Sequence, residues 1–155
     1  MGRGRGGYTE KQVFYKDTAG RKVTDKGSIF VAERYIDLGL EPVFRCVKSE
    51  LQLKQYDLTI KTNDDLNYLQ NIEVKQTTSP NPSAIAKNIQ KGFKQFRFYD
   101  NATVAIYLPN HINNDIGRRH AQAGFDEAVR KGHVLGHVEV WFSDKSKIGM
   151  NDGGI

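Results

Sequence analysis

The stretch YDLTIKTNDDLNYLQNIEVKQ, residues 56–76, contains two segments with the composition of β-strands, and each segment carries an acidic residue. Asp57 opens the first segment, and Glu73 lies in the second between Ile72 and Val74. A charged group in a buried strand is costly unless it is paired or neutralised. The two acids therefore require an explanation.

Lys75 follows Glu73 at the spacing that places two side chains on the same face of a strand. In one interpretation, Glu73 and Lys75 form a structural ion pair and Asp57 is a solvent-facing acid at the start of a strand. In the other, Asp57 and Glu73 lie on adjacent strands and provide oxygen ligands of the kind that Mg²⁺ or Mn²⁺ prefers. A metal there would lower the pKa of a bound water, and Lys75 would position that water or stabilise charge at phosphorus. The sequence leaves both interpretations open.

The surrounding pattern predicts an α/β domain in the order helix, three strands, helix, strand, helix, strand. Apolar residues at helical spacing predict helices over residues 28–40, 83–99 and 113–132, the first with Ser28 as its N-cap and Gly39 at its end. Segments rich in β-formers predict strands over residues 42–48, 56–62, 69–77, 102–109 and 137–142. The alternation in the second half predicts parallel strands with helices covering the sheet.

The chain has 155 residues, enough for one domain, and its formal charge of +5 favours an anionic partner. We expect residues 1–26 to be flexible or weakly structured, residues 27–155 to form the domain, and the protein to be a monomer. No apolar run approaches the roughly 20 residues that a membrane-spanning helix requires. The single cysteine, Cys46, excludes an internal disulfide, and its β-rich surroundings indicate a structural thiol.

The second predicted helix has a basic face opposite its apolar residues. The basic residues are Lys87, Lys91, Lys94 and Arg97. On an arbitrary helix, a face that is merely solvated would be the simpler interpretation. Beside a candidate metal site on a basic protein, a surface that binds phosphate is at least as well supported.

The chain resembles the PD-(D/E)XK, or restriction-endonuclease-like, nuclease superfamily in three features. These are the aspartate of "YD", the glutamate and lysine of "IEVK", and the helix "IAKNIQKGFKQF" that follows them. The arrangement is similar in particular to the C-terminal toxin domains of bacterial contact-dependent growth inhibition proteins. The resemblance covers about residues 27–142 and implies a restriction-endonuclease-like core. In that core a mixed central sheet is flanked by helices, with a helix and a strand added. The resemblance assigns catalytic roles to Glu33, Asp57, Glu73 and Lys75, with Asp57 and Glu73 as the metal ligands.

The same resemblance implies a nuclease that cleaves phosphodiester bonds with a divalent metal. Mg²⁺ is the expected ion, with Mn²⁺ or Zn²⁺ as alternatives, and tRNA is favoured over DNA as the substrate. It also implies a toxin that is delivered from a producing bacterium and acts in the cytoplasm of the target cell. A cognate immunity protein made by the producer would block it.

The sequence departs from the family pattern at one position and offers further candidates near the motif. Tyr56 precedes Asp57 where the family name has proline. Asp64 and Asp65 are competing acids, although their turn-like setting is typical of solvated residues. The amides of Gln76 and Gln95 are further candidates for contact with the site, and a solvated side chain is the simpler interpretation of each.

Two other functions compete with the nuclease hypothesis. Metal-free RNA cleavage would need a general base and a general acid. The four histidines (His111, His120, His133 and His137) are scattered along the chain, with no acid or lysine at useful spacing. A non-catalytic nucleic-acid-binding domain would need only the basic face, without Asp57, Glu73 and Lys75 together.

Overall fold

The computed structural model describes residues 14–45, 56–61, 69–97 and 101–150, and these ranges contain three helices and six strands. Cys46, Asp64 and Asp65 lie outside the described residues. The helices are α1 (Lys26–Asp37), α2 (Pro82–Phe93) and α3 (Asp115–Arg130). The strands are β1 (Glu41–Phe44), β2 (Leu58–Lys61), β3 (Leu69–Gln76), β4 (Ala102–Leu108), β5 (His137–Phe142) and β6 (Lys147–Met150).

The six strands form one open mixed sheet in the order β1-β2-β3-β4-β5-β6. Strands β1 to β3 are antiparallel, β3 to β5 are parallel, and β6 returns antiparallel to β5. The predicted α/β class and the predicted parallel pairing of the second half are therefore confirmed. The sequence analysis missed β6, because its four residues include a glycine and show little of the periodicity that marks a strand.

Helix α1 covers one face of the sheet, and α2 and α3 cover the other. Ile72 and Val74 belong to the core beneath α1, whereas Val104 and Ile106 of the neighbouring strand belong to the core beneath α2 and α3. Since neighbouring residues of a strand point to opposite faces, Glu73 projects on the side of α2 and α3. A buried strand thus carries an acid on one of its covered faces.

The ends of the helices differ from the predicted ends. Asp25 is the N-cap of α1, and Ser28, the predicted cap, is buried in the first turn and donates hydrogen bonds to it. Helix α2 ends at Phe93 because the amides of Gln95 and Phe96 bond to carbonyls three residues earlier, which tightens the chain into a turn. None of the helices in the described ranges is long and apolar enough to cross a membrane.

The N-terminal segment differs from the expectation for residues 1–26. In the part that the structure describes, residues 14–24 form a hairpin with a bridge between Lys16 and Lys22. Tyr15 and Val23 pack against the core beneath α1, and the amide of Thr18 donates to the carbonyl of Phe44 at 3.0 Å. Apolar residues on one side of the hairpin thus attach it to the domain that was expected to begin at residue 27.

A second buried acid, Glu139 on β5, is only 1% exposed and lies beneath α1. The hydroxyl of Tyr35 donates to its carboxylate, with O–O distances of 2.8 and 3.0 Å to the two oxygens. The indole N–H of Trp141 also donates to it, and the amide of Gln70 lies 3.4 Å away. Because neutral donors surround both oxygens, Glu139 connects α1 to the sheet as a structural element.

Replacing Tyr35 with phenylalanine should lower the free energy of unfolding by about 1–3 kcal/mol, because a buried carboxylate would lose a hydrogen bond. The matched control is Tyr107→Phe, whose ring stacks on Phe30 at 4.1 Å and whose hydroxyl forms no hydrogen bond within the described residues. Urea unfolding of both variants measures the difference. Equal stability of the two variants would contradict a structural role for the Tyr35–Glu139 bond.

Candidate active site

Asp57 lies immediately before β2, at the point where this strand separates from β3. Its amide donates to the carbonyl of Ile72 at 3.0 Å, and its carbonyl accepts from the amide of Arg45 at 2.8 Å. Its carboxylate accepts a hydrogen bond from the amide of Val74 at 2.8 Å. The side chain thus takes the place of the backbone carbonyl that would continue the hydrogen bonding between β2 and β3. Asp57 is therefore held by the backbones of two neighbouring strands rather than facing solvent at a frayed end.

Glu73 points from the middle of β3 into a largely desolvated site and is 5% exposed. Its Oε2 lies 3.2 Å from the Nζ of Lys75, whose side chain is 25% exposed. Its Oε1 is buried and receives no hydrogen bond from a donor in the described part of the chain. The carboxyl group of Asp57 is a close neighbour of Glu73, because its negative charge raises the pKa of Glu73. The structure thus brings together three of the four predicted catalytic residues: Asp57, Glu73 and Lys75.

The electrostatics of this group favour a proton on one of the acids when no cation is bound. Burial and, next, the negative charge of Asp57 raise the pKa of Glu73 to about 9, while Lys75 opposes the shift. Burial also raises the pKa of Asp57, and the amide of Val74 opposes that shift. Two carboxylates that interact so closely titrate as a pair. At neutral pH the metal-free pair therefore keeps a shared proton in place of a second negative charge.

The donor set fits a hard divalent cation. Two carboxylates are adjacent, and one buried carboxylate oxygen has no donor among the described residues. Within the same residues, no three His, Cys, Asp or Glu side chains form a metal-binding cluster by themselves. Magnesium is commonly bound by one or two carboxylates, with waters and substrate phosphate completing its coordination. Asp57 and Glu73 are the residues that would hold it here.

Glu33, the fourth predicted catalytic residue, is not brought into contact with this group. It is half-buried and accepts a hydrogen bond from the hydroxyl of Tyr15 at 3.0 Å. The N-terminal end of α1, rather than its middle, lies against β3: a Cβ atom on Gly27 would lie 3.3 Å from Val74. Glu33 is six residues beyond Gly27, about 9 Å along the helix axis.

Asp25 is the helix acid that approaches the pair. Its negative charge raises the pKa of Asp57, and the two side chains line the same cleft. The sequence carried a signal for it, because Asp is among the residue types preferred at the N-cap and Asp25 lies just before the amphipathic segment. The sequence analysis missed it by taking Ser28 as the cap.

The predicted phosphate-binding residues are solvent-exposed. Lys87 and Lys91 lie on α2, Lys94 is its C-cap, and Arg97 follows the end of the helix. The prediction that all four lie on one helical face is therefore wrong for Arg97, because the chain turns after Phe93. Gln95 also lies in this turn, and Gln76 points to the opposite face of β3 from Lys75.

Two of the four histidines, which the sequence analysis treated as scattered, are stacked. The rings of His111 and His120 lie 4.3 Å apart and are parallel to within 7°. Burial and the neighbouring His111 lower the pKa of His120. Its Nε2 is buried with no hydrogen-bond partner in the described ranges. A buried imidazole is poorly placed to exchange protons with a bound polymer, so the stack is a weaker candidate than the carboxylate pair.

Comparisons of the chain with protein-family models, with curated proteins and with solved structures found no match. The function proposed below is therefore inferred from the sequence motif and from the geometry of these side chains.

The stability of the metal-free protein should depend on the pH through Glu73. Its ordinary pKa is 4.5 and its folded pKa is about 9, so the folded chain binds a proton that the unfolded chain has lost. The stabilisation is complete below pH 4.5 and declines as the pH rises towards 9, by at most about 1.4 kcal/mol per pH unit for one proton.

Urea unfolding in excess chelator between pH 6 and 8.5 measures this slope. Glu73→Gln, which mimics the protonated acid, should flatten it relative to the parent protein. Asp126→Asn is the matched control, because Asp126 is an exposed acid on α3. A slope that Glu73→Gln and Asp126→Asn change equally would contradict the shared proton.

Proposed function

We propose that this protein is a metal-dependent nuclease with a restriction-endonuclease-like core. The observation that carries the proposal is the convergence of Asp57, Glu73 and Lys75 in one partly desolvated site. The order α1, β1 to β3, α2, β4 is the element order of that core, and the acids lie on β3 and at the start of the neighbouring β2. The motif and the architecture thus agree.

The structural interpretation of Glu73 and Lys75 explains less of this arrangement. An ion pair between them satisfies Oε2 of Glu73, but it gives no reason for a second acid beside the first. Asp57 raises the pKa of Glu73 and therefore works against the ion pair. The contrast with Glu139, whose carboxylate is surrounded by neutral donors, supports a functional role for the Asp57–Glu73 pair.

Each residue of the site has a role that suits its surroundings. Asp57 and Glu73 would hold the divalent cation, with Mg²⁺ favoured over Mn²⁺ or Zn²⁺ because the ligands are carboxylate oxygens. A bound cation supplies an activated water and neutralises charge on a phosphate oxygen. Lys75, whose side chain reaches solvent, orients the attacking water or stabilises charge that develops at phosphorus. Asp25 takes the place at the site that the family resemblance assigned to Glu33.

The proposed substrate is RNA, specifically tRNA, and this choice rests on the resemblance to contact-dependent growth inhibition toxins. The net charge of +5 and the exposed Lys87, Lys91, Lys94 and Arg97 support a polyanionic substrate. On the same basis we propose delivery into the cytoplasm of a neighbouring bacterium and inhibition by a cognate immunity protein. Acidic residues on that protein would complement the basic surface and speed association.

A DNase on the same fold is the first alternative, and a non-catalytic nucleic-acid-binding domain is the second. The second alternative is less economical, because binding alone needs the exposed cations but not a buried pair of acids. Incubation of the purified domain with total tRNA and with plasmid, each with and without Mg²⁺, separates the three outcomes.

Asp57→Asn, Glu73→Gln and Lys75→Ala should each reduce cleavage by at least about 100-fold, as expected when a group that binds the reacting centre is removed. Asp57→Asn keeps an acceptor for the amide of Val74, so we expect the metal-free variant to melt at the same temperature or higher, since the variant no longer buries an ionisable acid beside Glu73. The measurement is a cleavage assay and a thermal melt on each variant, with Asp126→Asn as the control.

Chelation of the cation should also abolish cleavage by the parent protein. Active variants with reduced stability would mean that the acids and the lysine are structural. Full cleavage in excess chelator would contradict the metal model and would favour metal-free cleavage by His111 and His120.

Replacement of Lys87, Lys91 and Lys94 with alanine should weaken nucleic-acid binding without unfolding the protein, because all three side chains are exposed. If each lysine contacts one phosphate, the slope of log K against log salt concentration should fall by about 2–3 units. Fluorescence anisotropy of a labelled oligonucleotide across a salt series measures it. An unchanged slope would mean that this face is only solvated.

A further inference from the structure

A cleft of about 210 Å³ is lined in part by Asp57 and in part by the N-terminal hairpin. Arg21, Lys22 and Thr24 of the hairpin line it, together with Asp25 and Ser28 from the start of α1 and Arg45 from the end of β1. The family resemblance began at about residue 27, so it assigned no role to the hairpin. The cleft therefore adds residues 21–24 to the surroundings of the proposed active site.

The hairpin is held by contacts that leave its cations available to the cleft. The carboxylate of Asp17 accepts hydrogen bonds from the amides of Ala19 and Arg21, and Gly20 adopts a φ of +78° at the tip. The ring of Tyr15 packs against Phe44, with 5.1 Å between the ring centroids. Backbone and aromatic contacts thus fix the hairpin, and the charged groups of its second strand are not needed to hold it.

Three cations line the same cleft as Asp57. Arg21, Lys22 and Arg45 line it, and neither Arg21 nor Lys22 forms an ion pair with a carboxylate within the described ranges. The acids Asp17 and Asp25 also line the cleft, but both already accept hydrogen bonds from backbone amides. These hydrogen bonds orient the two carboxylates without removing their charge. Arg21 and Lys22 are cations of the cleft that have no carboxylate partner within the described ranges, so they are the groups that can contact an anionic ligand there.

The surroundings of Lys22 also suit a nucleotide. Its Nζ lies 4.2 Å from the centroid of the Phe14 ring, and Phe14 is 56% exposed. An exposed aromatic ring beside cations is the combination with which proteins bind nucleic-acid strands, since the ring stacks on bases and the cations contact the backbone. Phe14 and Lys22 thus provide both elements at one place.

We propose that this cleft binds the phosphodiester backbone of the substrate, with Arg21 and Lys22 contacting phosphates next to the bond that Asp57 and Glu73 address. The proposal rests on the proposed nuclease function and deepens it, because it names the surface that delivers the strand to the carboxylates. A phosphodiester and a bound divalent cation together would satisfy both signs of charge in the cleft. The phosphodiester oxygens pair with the cations, and a cation at Asp57 and Glu73 offsets the repulsion between phosphate and carboxylate.

The test is the double variant Arg21→Ala/Lys22→Ala, made in the parent protein and in the cleavage-deficient Glu73→Gln protein. In the Glu73→Gln background, loss of two phosphate contacts should lower the salt slope of oligonucleotide binding by about 1.5 units. In the parent background, kcat/KM for cleavage should fall at least about tenfold. The matched control is Arg130→Ala/Lys131→Ala, which removes the same charge from exposed residues at the end of α3.

The charge-preserving variant Arg21→Lys/Lys22→Arg separates binding from folding, because it should restore most of the salt slope and of the cleavage. Equal effects of the cleft variant and the α3 control would overturn the proposal, as would a loss that the charge-preserving variant does not reverse. Failure of the proposed function gives a different result. In that case neither the parent protein nor the variant cleaves RNA or DNA with any divalent metal. If only the cleft proposal fails, the parent protein is an active nuclease whose activity does not depend on Arg21 and Lys22.

Discussion

Burial of Glu73 in a strand whose faces are both covered is the constraint on which the rest of the structure depends. Beside Glu73, strand β3 pairs with β4 on one edge, and on the other edge, where the β2 ladder ends at Ile72, Asp57 bonds to Ile72 and Val74. The carboxyl group must then be protonated, paired or bound to a cation. Lys75 pairs with one oxygen of Glu73, and the nearby negative charge of Asp57 opposes ionisation of Glu73. The site is held in a state that a divalent cation would relieve.

Two glutamates are buried in the part of the chain that the structure describes, and their surroundings differ. Tyr35, Trp141 and Gln70 direct neutral donors at Glu139, and these contacts connect helix α1 to strand β5 across 104 residues of sequence. Glu73 instead faces an acid and a lysine, and one of its oxygens has no donor among the described residues. Satisfied buried groups make a fold rigid and specific, whereas unsatisfied ones are stored at sites that bind or react. The difference supports the proposal that Glu73, unlike Glu139, belongs to a site that binds or reacts.

The crossing of α1 over the sheet determines which residues surround the carboxylate pair. Its N-terminal turn packs against β3, so its cap, Asp25, lies near Asp57, while Tyr35 near its other end reaches β5. The hairpin before the helix is consequently brought to the same edge of the sheet. Arg21 and Lys22 thereby line the same cleft as Asp57, although more than 30 residues separate them from it in sequence.

The sequence by itself determined the α/β class, the parallel second half and the relation between Glu73 and Lys75. Each depends on local periodicity: helical spacing, crossover-length segments between strands, and the two-residue repeat that places alternate side chains on one face. The sequence also indicated that Asp57 lies near Glu73, because Asp57 directly precedes β2, the strand that pairs with β3.

The tertiary structure decided which distant residues meet. It brought Asp25 rather than Glu33 close to Asp57, ended α2 before Arg97, stacked His111 on His120 and added β6. It also gave Glu139 its partners and Arg21 and Lys22 their cleft. The angle at which a helix crosses a sheet and the pairing of a short edge strand depend on contacts between segments that are remote in sequence. Local sequence patterns do not encode those contacts in a readable form, so they were seen only in the folded chain.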